Sequence, residues 1–108
     1  MAQKPSRVKI TVIKMLGMSE LFGSKIPPTR EGYEDKCPMY KVGDEFMIDE
    51  KGNMPNGFCS WAWYDLYRDF TTIRYGGNFN WVKEKGLNYV SCSDGLRPVI
   101  FKIERIEG

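Results

Sequence analysis

Residues 60–77 read SWAWYDLYRDFTTIRYGG, the one long run of helical periodicity in a chain of 108 residues. Trp63, Leu66, Tyr67, Phe70 and Ile73 recur at the spacing that puts side chains on a single helix face. Asp65, Arg68, Asp69 and Thr72 fall mostly elsewhere, and Trp61 and Tyr64 lie off the stripe. Ser60 is a suitable N-cap, and Gly76-Gly77 supplies the left-handed stop. The spacing predicts a helix over residues 61–75. A solitary amphipathic helix must bury its stripe against something, and the remaining apolar patterns have the period of strands. This confines the chain to an α+β arrangement.

Residues 8–15 alternate Val8, Ile10 and Val12 with Lys9 and Thr11, the signature of a strand with one buried face. Ile13 and Met15 fall on the opposite face, so the end of this strand is expected to be covered on both sides. Residues 40–49, YKVGDEFMID, read as a second strand with Val42, Phe46 and Ile48 on one side and a bend at Gly43-Asp44. Residues 87–92 and 98–106 read as a pair joined by SDGLR, with Gly95 free to take positive φ. SELFG suggests one helical turn capped by Ser19. Residues 24–36, interrupted by Pro27-Pro28, form a long loop of the kind used as a lid or partner-binding segment. Residues 1–6 read as a frayed start. The expectation is a single α+β domain over 1–108, in the order β-loop-β-α-β-β. One principal helix packs on a small antiparallel or mixed sheet, with curling toward a barrel as the alternative to an open sheet.

Composition narrows the function classes. Charged residues at 28% and apolar residues at 42% are ordinary for a globular chain. A net charge of +2, with no basic run interleaved with aromatics, argues against a nucleic-acid partner. No stretch is long and apolar enough to span a membrane, and VKITVIKMLGM is interrupted by lysines and followed by no cleavage site. An odd number of cysteines suits a reducing compartment, so a cytoplasmic location is expected. The absence of histidine excludes Ser-His and Cys-His catalytic pairs and imidazole metal sites.

Any chemistry therefore centres on the cysteines. Cys37 precedes Pro38, Cys59 precedes the predicted helix, and Cys92 opens CSDG. None belongs to a C-x-x-C knuckle, and three separate buried structural thiols are one reading. A thiol at a helix start is, however, favoured as thiolate. If the fold joins them, Cys37, Cys59 and Cys92 could form a thiol redox site or hold zinc, an iron–sulfur cluster or Cu(I). A fourth ligand would come from Asp94, Asp44, Glu45 or solvent. Arg97 could clamp a carboxylate or phosphate, or simply pair with Asp94 in an Asx-type turn. Trp61, Trp63 and Trp81 could stack on a flat cofactor such as a flavin, although no glycine-rich phosphate loop of the Rossmann type is present. The rival to all of these is a non-catalytic homo-oligomer or partner-binding module that uses the aromatic helix and the 24–36 loop. No residue pattern names a reaction or a substrate.

The segments YKVGDEF, GFCSWAW…RYGGNFNW and CSDGLRPVIFKIERI, taken together, resemble a family of small uncharacterised proteins of about this length from anaerobic bacteria and archaea. The shared pattern is a Gly-x-Cys before a helix, a Gly-Gly after it and a late Cys-x-Asp. The resemblance runs from Val8 to Ile106 and touches Cys37, Gly43, Asp44, Gly57, Cys59, Gly76, Gly77, Cys92 and Asp94. It implies that the cysteines act together, and it implies no particular activity.

Overall fold

The structure, a computed structural model, describes residues 4–106. The expected frayed start therefore falls partly outside the described residues; Ser6 lies inside them and donates its backbone N–H to the Arg74 carbonyl at 2.8 Å. Four strands form one sheet: β1 (Arg7–Met15), β2 (Glu45–Ile48), β3 (Leu87–Ser91) and β4 (Val99–Ile106). Their order is β2-β1-β4-β3, and every neighbouring pair is antiparallel. The outer strands β2 and β3 do not meet, so the sheet is open and the barrel alternative is removed. A short helix α1 (Met18–Phe22) follows β1, and the principal helix α2 (Ser60–Arg74) packs across one face.

The alternating strands determine which face that is. Val8, Ile10, Val12, Ile48, Val99, Phe101 and Ile103 are buried beneath α2, where they meet Ala62, Leu66, Phe70 and Ile73. The other face is charged. Lys9 lies 3.6 Å from Glu45 and 3.7 Å from Glu104, and Lys102 lies 3.8 Å from Glu104. Such pairs contribute little to stability, but they keep this face wetted and unambiguous in register.

Several expectations are corrected in detail. The β1–β4 register slips between Val12 and Lys14, so Ile13 is an extra residue in the ladder. This bulge restores Met15 to the helix-covered side instead of the opposite face, while Ile13 and Lys14 both point to solvent. β2 is shorter than expected: Val42 is exposed, because residues 41–44 form a turn closed by the Asp44 carboxylate on the Lys41 N–H. The helix begins one residue earlier than expected, with Cys59 rather than Ser60 at the N-cap. Its buried stripe is rotated toward Ala62, leaving Tyr67 half exposed and Trp63 at the edge of the core. The small Ala62 lets the helix start lie against the sheet; a larger residue would lift it.

Both helix ends have a clear cause. At the end of α2, Gly76 takes φ 89° and donates to the Ile73 carbonyl, and Gly77 donates to Thr72. This paired closure is the Schellman arrangement that the two glycines announce. At the start of α1 the cap is Gly17, not Ser19. Asp35 accepts from both the Ser19 N–H and hydroxyl at 2.8 Å, and its carboxylate comes so close that any Cβ at Gly17 would collide with it. In the β3–β4 connection, Gly95 does not use positive φ. The Asp94 carboxylate shapes that turn instead, accepting from the Leu96 and Arg97 N–H groups at 2.9 and 3.1 Å.

The rotated stripe makes a direct prediction. Phe70→Ala removes a fully buried ring and should cost about 3–5 kcal/mol of unfolding free energy in chemical denaturation. Tyr64→Ala, on the solvent side of the same helix, should stay within about 0.5 kcal/mol of the native protein.

Candidate functional site

Three elements bring the cysteines to one place. Cys37 lies in the irregular segment ahead of β2, Cys59 caps α2, and Cys92 follows β3. All three border a single cavity of about 530 Å³, which is a volume suited to a small molecule. Each is half-buried and free of disulfide.

Tyr40 organises this convergence. Its ring is buried and meets Phe46 and Phe101 edge-on, with centroids at 5.7 and 5.4 Å, and it tilts against Phe58 at 5.7 Å. Tyr40 lines the cavity, and its hydroxyl accepts the Cys59 N–H at 2.9 Å. That donor is one of the orphan groups at the head of α2, and the Cys59 side chain makes no capping bond of its own. Burial pushes the Tyr40 hydroxyl well above the usual tyrosine range, and the neighbouring Cys59, Cys37 and Cys92 add to the rise despite the opposing Cys59 N–H. Tyr40 therefore stays protonated.

Cys92 is held by the strand it faces. Its backbone N–H pairs with the Val99 carbonyl at 3.0 Å, and its Sγ accepts the Val99 N–H at 3.4 Å. Burial raises the thiol above its ordinary value, and hydrogen bonding from Asp94 and Val99 offsets only part of that effect.

Trp61 closes another side. Its indole N–H donates to Ser93 Oγ at 2.7 Å, and the Ser93 N–H donates to Asp65 at 2.8 Å. The first turn of α2 is thereby strapped to the turn after β3. Of the three tryptophans, Trp61 alone borders the cavity. Trp63 packs against Phe70 with ring centroids 4.4 Å apart, and the exposed Trp81 leans on Phe79 at 5.0 Å. The three indoles do not form a common stacking platform.

The proposed ligands are placed as follows. Among the described residues, no three cysteine, aspartate or glutamate side chains stand in a group that could hold a metal ion. Cys37, Cys59, Cys92 and Asp94 share a cavity without forming such a group. Asp44 and Glu45 do not line it; Asp44 closes its own turn and Glu45 pairs with Lys9.

Asp94 and Arg97 do line the cavity, together with Arg30 from the 24–36 loop. Arg30 follows Pro28, which starts a single 3₁₀ turn, Pro28–Arg30. Both terminal Arg30 nitrogens, Nη1 and Nη2, approach the Asp94 carboxylate at 3.4 Å. Arg97 places its Nε 3.9 Å from the same carboxylate and donates from Nη1 to the Glu34 carbonyl at 3.2 Å. The two guanidinium groups lie over the ring of Tyr33, at 5.5 and 5.6 Å from its centroid. Despite the burial that opposes it, the Asp94 carboxyl is held below its usual value by the Leu96 and Arg97 N–H groups and by the Arg30 charge. Sequence reasoning missed Arg30, Tyr33 and Tyr40. The first two belong to a polar loop without periodicity, and Tyr40 looked like an ordinary strand residue.

Comparison of the chain with family models, with curated proteins and with solved structures finds no match to any of the three.

The Cys92 environment predicts a pH signature. Folding favours its neutral form, so its contribution to stability is complete below the ordinary thiol value of 9.0 and is lost as pH rises through the raised value. Denaturation curves at increasing pH should therefore show the native protein losing stability relative to Cys92→Ala above pH 9.0. Peptide mapping after alkylation should show Cys92 labelling slowly below that pH. Rapid neutral-pH labelling of Cys92 in the folded protein would contradict this account.

Proposed function

We propose that this chain binds a small organic ligand in the cavity bordered by Cys37, Cys59 and Cys92. The observation that carries this reading is the convergence of three thiols, remote in sequence, on one cavity of about 530 Å³. The walls suit a largely apolar guest. Met39, Ala62, Leu96 and Val99 contribute aliphatic surface and Trp61 a ring, and half-buried thiols are polarisable contacts for such a body. Tyr40 keeps its proton, so its hydroxyl is a donor at the wall. A zinc or iron–sulfur centre would require the thiols to regroup, and the geometry favours the organic ligand over it.

A fragment screen that follows the Trp61 indole N–H resonance tests the proposal. Compounds that shift this resonance should slow the reaction of at least two of the three cysteines with N-ethylmaleimide, and prior alkylation should abolish their binding. Binders that shift Trp61 while all three thiols react at unchanged rates would overturn it.

A second reading is favoured by the outer face of α2. Trp61, Tyr64 and Tyr67 are 68%, 76% and 51% exposed there, and large rings with polar tips suit a protein interface. Sedimentation should then show self-association that Tyr64→Ser with Tyr67→Ser weakens. A native protein that stays monomeric at every concentration would remove the homo-oligomer.

A further inference from the structure

We infer that the ligand of this cavity is an organic monoanion, a carboxylate carried on an apolar body, with its head between Arg30 and Arg97. This rests on the small-ligand reading above and specifies the chemical class of that ligand. The cavity lining holds two guanidinium groups and one carboxylate, Asp94. Asp65, whose charge also reaches Cys92, is engaged by the Ser93 N–H and does not line the cavity. One positive charge is thus left over on the lining, and one negative charge balances it. A phosphate dianion would overshoot.

The existing pairings leave room for such a head. Charge-assisted hydrogen bonds normally close to about 2.7–2.9 Å. The Arg30–Asp94 contacts stand at 3.4 Å, and Arg97 Nε, although buried, has no hydrogen-bond partner. Arg97 is 13% exposed and is fixed from behind by the Glu34 carbonyl and the Tyr33 ring, so its fork is oriented before any ligand arrives. The Tyr40 hydroxyl adds a neutral donor that repels no anion. The lining also includes Pro38, Met39, Ala62, Leu96 and Val99, which offer an anion nothing and an apolar body a good deal.

The test uses matched pairs on the full chain: octanoate against octanamide, and phenylacetate against phenylacetamide. Binding is read by the Trp61 indole resonance and by protection of the thiols from N-ethylmaleimide. Each acid should bind at least about tenfold more tightly than its amide. Arg97→Gln and Arg30→Gln should each reduce that preference while leaving amide binding in place. Asp94→Asn keeps the oxygen that Leu96 and Arg97 donate to but removes the competing charge, so it should tighten acid binding several-fold. Acid and amide binding equally, both with thiol protection, would overturn the anion inference and leave the cavity reading standing. So would inorganic phosphate displacing octanoate as effectively as phenylacetate does. If neither acid nor amide protects any thiol, the cavity reading falls with it.

Discussion

The hydrogen bond from the Cys59 N–H to the Tyr40 hydroxyl is the interaction on which the arrangement of the site depends. Residues 31–44 contain no helix or strand, yet they carry Cys37 and Tyr40. What places them is a buried ring seated on Phe46 and Phe101, and a hydroxyl fastened to the head of α2. The same bond satisfies a helix-end donor that the cysteine side chain does not serve. Loop position and helix termination are thus one constraint. Because Phe101 belongs to β4 and Phe46 to β2, that constraint is referred back to the sheet.

The architecture was largely legible in the sequence because its signals are local and periodic. Val8, Ile10 and Val12 alternate, Val99, Phe101 and Ile103 alternate, and the glycines after Tyr75 stop the helix, each for reasons contained within a few residues. The errors lie where a tertiary contact outweighs periodicity. The bulge at Ile13 changes which face Met15 takes, and no composition rule marks it. The stripe on α2 turned away from Tyr67 toward Ala62 because close approach to the sheet selects the small residue. The cysteines stood out as residues at element ends, but their convergence on one cavity was a matter of topology. Arg30 was invisible because its partner, Asp94, lies sixty-four positions away and no local pattern links them.

Charge is divided between the two sides of the molecule. On the open face of the sheet, lysines and glutamates pair in water, where Coulomb attraction is weak and the pairs serve chiefly to keep the face polar. At the cavity, two arginines and an aspartate are partly withdrawn from solvent, where each imbalance costs more. The same residue types therefore define a boundary in one place and a binding preference in the other.

The three walls of the cavity are not equally firm. β4 and α2 belong to the packed core, while the segment bearing Arg30, Tyr33 and Cys37 has only the turn Pro28–Arg30 as regular structure. Ahead of Cys37, which packs against the core, that segment is held to the rest by polar tethers: Arg30 to Asp94, Arg97 to the Glu34 carbonyl and Asp35 to Ser19. The tethers at Glu34 and Asp35 are exposed and open at low free-energy cost, whereas buried apolar contacts do not. An occupant of the cavity would act as a missing piece of core for this segment. It would lend SKIPPTREGYEDK the apolar packing that its own residues do not supply, so that occupancy and loop order would rise and fall together.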